Sequence, residues 1–432
     1  MAVNAPGNSE SVFTYGAPRL KVGAGASAEI GYDIAQLGAK RALLITDAGV
    51  AATGAPARIA EQMRAYGVEC ELFDDVHIEP TDASLRHAIA WARDGGPYDA
   101  YVAVGGGSSI DTAKAVNLLT TNPGELLDYV NRPVGAGRSP IEPLRPLIAV
   151  PTTTGTGSES TTVCVLDVIG LSVKTGISHE ALRPTLAVVD PELTLTQPTG
   201  VTAASGMDIL CHALESYTAR PYTGFERHRA AERVPYCGAN PIADMWCEKA
   251  LALLAGSFRR SVRDGSDRQA RGEMALAATF AGMGFGNAGV HIPHANGYPI
   301  AGQAKDFRAA DYPQGEALVP HGVAVALTAP EAFRFTFAAA PERHLRAGRL
   351  LNPDAVMTSD PADFLPGIVA ALMADIGLPN GLAAVGFGAG DIADLVAGTM
   401  RQQRLLAVAP VPVTEDDIAR IFERSMRLWC AN

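Results

Sequence analysis

The second half of the chain carries side chains whose types and spacing suit metal chemistry. In GMDILCHALESY, Asp208 and His212 stand four residues apart, which on a helix places them one turn apart on one face. A carboxylate and an imidazole so placed form a chelating pair; an Asp–His hydrogen bond is the plainer use of the same spacing. NAGVHIPHANGYP adds His291 and His294, with Tyr298 four residues further on, and LVPHG adds His321 between Pro320 and Gly322. One carboxylate and three neutral imidazoles suit Fe(II) or Zn(II), with a position left for a substrate oxygen. His291 can ligate in place of His294 or stand behind it, and spacing alone does not choose. His77, His87, His179, His228 and His344 sit in amphipathic, strand-end or polar surroundings and are weaker candidates.

A second chemistry lies in the first half. AYVAVGGGSSIDTAKA sets Gly105, Gly106, Gly107 and Ser108 between an apolar, strand-like run and a helical pattern opening near Ser109. Glycines there let backbone approach a pyrophosphate, and a helix N-terminus offers free N–H groups and a favourable dipole. PTTTGTGSE (151–159) is another Gly/Thr-rich turn after a strand-like run. Two such turns at the carboxyl ends of parallel strands face one crevice, where open α/β sheets bind ligands. Asp47, closing RALLITD, can accept from a ribose or cap a helix; facing a ribose it favours NAD over NADP. GFGNAG (284–289) spells GxGxxG, but it follows a helical run rather than a strand and reads as close helix packing. GFGAGD (386–391) reads as a helix entrance.

The elements that must position these residues follow from periodicity. Strand-like runs at 41–47, 69–76, 100–106, 146–153 and 186–191 alternate with helical patterns such as APARIAEQMRAYG and DASLRHAIAWARDGG. That rhythm predicts an α/β dinucleotide-binding domain with a parallel sheet over residues 1–194. Beyond it the patterns are helical, predicting an all-α domain over 195–432.

At 432 residues, two or three domains are the natural expectation. A net charge of −11 argues against nucleic acid, which requires clustered Lys and Arg. Six cysteines without a CxxC pair suggest reduced thiols rather than a disulfide framework. No run of about 18 apolar residues reads as a membrane span. The opening MAVNAPGNSESVFTY lacks signal- and transit-peptide features, and the expected location is the cytoplasm, in a bacterial-type protein.

Taken together and in order, GGGSSIDTAKA, PTTTGTGSE, GMDILCHALESYT, HIPHANGYP and LVPHG resemble the iron-containing (group III) alcohol dehydrogenases over nearly the whole chain. The resemblance implies an N-terminal dinucleotide-binding domain, a helical C-terminal domain and a metal in the cleft between them, in a dehydroquinate-synthase-like fold. It implies the ligands Asp208, His212, His294 and His321. It implies NAD contacts at Asp47, Gly106, Gly107, Ser108, Thr152, Thr153, Thr156 and Lys174, with Asp111 counted among them. Many members carry histidine where this chain has Tyr298, leaving Tyr298 or His291 as the proton carrier. Stretches such as DDVHIEPTD, GANPIAD and GLAAVGF are similar to the hydroxyacid–oxoacid transhydrogenase branch. That branch passes a hydride from 4-hydroxybutyrate to 2-oxoglutarate through a retained nicotinamide. A dehydrogenase releasing NADH is the alternative, and a metal-dependent lyase on the same scaffold a third reading. Acid substrates require cations, for which the Arg-rich segment 218–237, with Arg233 foremost, and Lys305 are the candidates. A homo-oligomer, dimer or higher, is expected.

Overall fold

The computed structural model describes residues 9–430 apart from 172, 231, 232, 313 and 316. The chain divides into two compact units, Ala17–Gln197 and Pro198–Asn432, the latter joined by the N-terminal segment through Gly16.

In the first unit a six-stranded sheet is parallel throughout. It comprises β1 (Arg19–Val22), β2 (Arg41–Ile45), β3 (Glu69–Phe73), β4 (Ala100–Gly105), β5 (Leu147–Pro151) and β8 (Leu186–Val189), in the order β1-β8-β5-β4-β2-β3. Strands β4 and β5 are buried at every residue, as unbroken apolar runs covered on both faces must be. Helices α1 (Ala55–Ala65), α2 (Asp82–Gly95) and α3 (Gly107–Thr121) connect them. Thr81 opens α2 with a reciprocal cap to Ser84. Two features escaped the sequence reading. Strand β1 pairs at the edge beside β8, and an antiparallel hairpin, β6 (Val163–Val168) with β7 (Val173–Ser178), follows the Thr-rich turn.

Among the described residues the second unit contains helices and no named strand. Its core is built on α4 (Thr199–Thr218), α5 (Pro241–Arg263) and α6 (Arg268–Ala288). Then come α7 (Ile292–Gly302), α8 (His321–Ala326) and, late in the chain, the single turn α9 (Gln403–Leu406). The literal GxGxxG lies inside this packing: a Cβ at Gly284, on α6, would stand 2.5 Å from Cys247 Sγ on α5. The expected first domain took in the start of the chain, and this requires correction. Residues 9–16 belong with the helices: Glu10 N donates to Phe225 O, and Gly16 N to Asn287 Oδ1.

Candidate metal and cofactor sites

Helix α4 aligns the core of the metal cluster. Asp208, His212 and Glu215 fall at i, i+4 and i+7, one buried face of one helix. Helix α8 starts at His321, after Pro320 as N-cap. Its first turn presses on α4 so closely that a Cβ at Gly322 would lie 2.0 Å from Ala204 O and 3.1 Å from Asp208 Cβ. Only glycine permits this approach, which brings the His321 imidazole to the Asp208 carboxylate.

The donor atoms converge on one oxygen. Asp208 Oδ1 lies 3.4 Å from His294 Nε2, 3.6 Å from His212 Nε2 and 3.8 Å from His321 Nε2. Ligands bonded at about 2.1 Å to a tetrahedral ion stand about 3.4 Å apart, so these separations are those of atoms around a common cation. Asp208, His294 and His321 offer donors all within 4.8 Å of one another; His212 joins through its approach to Asp208 but lies outside that mutual set. Asp208 Oδ1 and His294 Nε2 are buried and make no hydrogen bond, an arrangement that a bound cation resolves. The residues fit a divalent metal.

Electrostatics point the same way. Burial pushes the Asp208 carboxyl up, but His212, His321 and His294 hold it far below the usual carboxylate range. Burial opposes charge on His294 as well, yet Glu215 and Asp208 raise its pKa to about 9. The pocket selects positive charge at its centre, proton or metal.

Glu215 was missed at the sequence level. Fully buried, it accepts from the backbone of His294 (2.9 Å) and His291 (3.3 Å), and its other oxygen meets His294 Nδ1. A carboxylate on the far ring nitrogen fixes the tautomer that presents Nε2 to a metal. The signal was present as D-x3-H-x2-E, one residue class beyond the chelating pair. His212 is held differently, its ring stacked 3.8 Å over Phe285 and 4.5 Å from His294.

The two expected proton carriers part company. Tyr298 stands with its ring centroid 6.0 Å from that of His321, partly buried against an apolar cluster of Phe285, Val290, Ala295 and Leu405. His291 has a different place from the one expected of a relay. It is fully buried, its Nε2 meets Thr218 Oγ1 at 3.1 Å, and burial lowers its pKa to about 4. Since the unfolded chain takes up this proton near pH 6.5, it binds more protons than the native state between 6.5 and about 4. Stability contributed by His291 is therefore present above that window and lost as pH falls through it, by about 3 kcal/mol in all. Urea unfolding of the wild type and His291→Gln at both ends of the window checks this: the variant shows the flatter pH dependence. Equal slopes would contradict the assignment.

Both proposed substrate cations have carboxylate partners within the chain. Arg233 binds the buried Glu10 carboxylate, with Nη1 2.8 Å from Oε2, and donates to Val12 O. It fastens the N-terminal segment. Lys305 pairs with Asp391 at 2.7 Å.

In the α/β unit the two glycine- and threonine-rich turns do meet. A Cβ at Gly106 would lie 3.0 Å from Thr153 Oγ1, and one at Gly107 2.7 Å from Thr156 Cγ2. Thr152 N bonds Gly105 O, while Thr152 Oγ1 is buried without a partner. Gly106 opens α3 with no side-chain cap. Bare backbone at a helix N-terminus beside an unsatisfied hydroxyl fits a dinucleotide phosphate. Other expected contacts have internal partners. Asp47 caps a short helix through Val50 N and receives Ser109 Oγ at 3.3 Å; Ser108 Oγ accepts from Glu79 N. Asp111 accepts from Ser158 Oγ and Val165 N, and the buried Lys114 ties it to the same turn. Lys174 Nζ lies between Glu79 and Asp167. These four hold the cradle's walls.

With both sites described, comparison with known proteins places the chain. The family model for iron-containing alcohol dehydrogenase matches residues 17–191, and that for the C-terminal part of the Fe-containing alcohol dehydrogenase family matches 202–426. The chain is 43% identical to the mitochondrial hydroxyacid-oxoacid transhydrogenase of Bos taurus over 98% of its own length and 93% of the relative's. It is 44% identical to that of Homo sapiens over the same shares. An alcohol dehydrogenase from Oenococcus oeni, 28% identical, superposes with a TM-score of 0.83 over 96% of this chain and 100% of the other. The expected cytoplasmic, bacterial-type placement is overturned by these relatives, which are named as mitochondrial. Among the described residues, no helix is long and apolar enough to cross a membrane. The chain is an oxidoreductase belonging to the iron-containing alcohol dehydrogenase family.

Proposed function

We propose that this oxidoreductase is a hydroxyacid–oxoacid transhydrogenase. It would take a hydride and a proton from 4-hydroxybutyrate, leaving succinic semialdehyde, and deliver both to 2-oxoglutarate, giving 2-hydroxyglutarate. The observation that carries this reading is the 43–44% identity to transhydrogenases across 98% of the chain, joined to a buried carboxylate–imidazole cluster. The reading includes Fe(II), with Zn(II) as the alternative ion, a tightly held NAD and a homo-oligomer of two or more chains.

When bound, the cation polarises the substrate oxygen and lowers the pKa of its hydroxyl. The chain's residues do the rest. Asp208 supplies the negative charge among the ligands, and Glu215 keeps the His294 ring in the ligating tautomer. Phe285 shields His212 from water on one face. Tyr298, beside His321, is the hydroxyl proposed to carry the proton. The bare N-terminus of α3 and the Thr152 hydroxyl are proposed to hold the nucleotide phosphates.

A NADH-releasing dehydrogenase is separated by one assay. The purified protein, given 4-hydroxybutyrate and 2-oxoglutarate without added nucleotide, is expected to form 2-hydroxyglutarate over many turnovers. Product only on addition of free NAD, with NADH accumulating, would replace the transhydrogenase reading with the dehydrogenase one.

A further inference from the structure

We propose that Asn296 sets the angle at which α7 presents His294 and Tyr298, an inference that rests on the reading above for the role of Tyr298 and names the residue that aims both side chains. His294 and Tyr298 stand at i and i+4 and share one face of α7. From that face His294 Nε2 comes within 3.4 Å of Asp208 Oδ1, and the Tyr298 ring lies beside His321. Asn296 falls between them in sequence, about 200° around the helix from each. It is fully buried, and both ends of its amide are tied. Nδ2 donates to Thr328 Oγ1 at 3.2 Å, and Oδ1 accepts from Thr399 Oγ1 at 3.1 Å. Both threonines are fully buried as well. Thr328 follows just after α8, the helix that His321 opens, and Thr399 lies on the helix Ile392–Met400.

The make-up of α7 gives such a tie its value. Pro299 inside the helix removes one backbone donor from the ladder, and the packing surfaces are smooth. A Cβ at Gly297 would stand 3.1 Å from Val325 N on α8, and one at Gly398 would stand 2.5 Å from Pro299 Cβ. Glycine contacts set how near the helices lie but offer no ridge that resists turning. Glu215 grips the first turn through the N–H groups of His291 and His294, and a helix held at one end still pivots. Directional hydrogen bonds on the opposite face stop it. A turn of about 10° would carry a side-chain tip about 6 Å from the axis through about 1 Å. Metal–ligand distances are kept within about 0.2 Å, and a misplacement of about 1 Å slows catalysis about a hundredfold. The Asn296 amide therefore acts on the metal ligand and the hydroxyl together.

The test uses the full chain and compares wild type with Asn296→Leu, Thr399→Val and Thr399→Ser. Fe(II) affinity is titrated on apo-protein, and kcat and KM are measured at saturating metal. Asn296→Leu and Thr399→Val keep side-chain volume while removing hydrogen bonds, whereas Thr399→Ser keeps the hydroxyl and loses a methyl. The first two are expected to bind Fe(II) about tenfold to a hundredfold more weakly, and to lower kcat at least about tenfold with KM little changed. Thr399→Ser is expected to hold both values near wild type, although its lost methyl lowers the melting temperature. Metal affinity and kcat both within about twofold of wild type in Thr399→Val would overturn the proposal. So would a loss of only one of them, since a single rotation must move both, or an equal loss in Thr399→Ser, which would make the site one of packing. The Thr399 pair decides alone if Asn296→Leu does not fold. A wild type that binds Fe(II) without transferring a hydride would reject the parent reading, and the metal affinities would then judge Asn296 by themselves.

Discussion

Asp208→Asn is expected to empty the metal centre and to lower kcat/KM by about a thousandfold, while the helical unit stays folded. Three imidazole nitrogens lie within 3.4–3.8 Å of one Asp208 oxygen, so the substitution removes the negative ligand common to all of them. A metal acting as a Lewis acid supplies several kcal/mol of charge stabilisation, and about 1.4 kcal/mol corresponds to each tenfold in rate. The amide matches the carboxylate in size, so packing against Gly322 is preserved and the loss is electrostatic. Metal content by elemental analysis, measured beside kcat/KM, checks both halves. A variant that keeps a full complement of metal, or loses activity only through unfolding, would show that Asp208 is not a ligand.

Glu215→Ala is expected to damage both stability and metal affinity. It strips the acceptor from two backbone N–H groups and from His294 Nδ1, all buried. Each stranded donor destabilises by about 1–3 kcal/mol, and removing the group that orients a ligating histidine weakens metal binding by about tenfold to a hundredfold. Glu215→Gln divides the two effects. Its amide oxygen still accepts from backbone, which restores part of the stability, but it cannot supply the charge that fixes the His294 tautomer, so metal affinity stays low. Thermal melting of apo-protein and metal titration measure the two separately. Equal recovery of both in Glu215→Gln would reduce Glu215 to a packing residue.

How far the sequence disclosed this arrangement depends on which signals are local. The chelating pair was readable because helix geometry ties i to i+4. Asp208 and His212 could be placed on one face before any tertiary structure was known, whereas Glu215 lay unread one helical step further along. The glycine turn after β4 was readable for a similar reason, since an apolar run followed by three glycines admits few backbones. Strand β1 and the β6–β7 hairpin were not. β1 is short and largely exposed, so it lacks the apolar run that marked the buried strands, and the hairpin's register is set by pairing partners rather than by periodicity.

The internal partners of the substrate-cation candidates were hidden for a deeper reason. Charge density in the 218–237 segment pointed to Arg233, but the partner that occupies it, Glu10, is 223 positions away. Nothing in the spacing of either residue announces the other. His291 could not be told from His294 by spacing; both are buried, and tertiary packing separated them, leaving one beside Thr218 and the other facing Asp208.

X-ray data collected on either side of the iron absorption edge, from crystals of protein reconstituted with Fe(II), bring the cluster to a decision. The expected result is a single anomalous peak per chain, bounded by Asp208 Oδ1 and the Nε2 atoms of His212, His294 and His321. An empty cluster in fully reconstituted protein, or a peak at a different place in the chain, would contradict it.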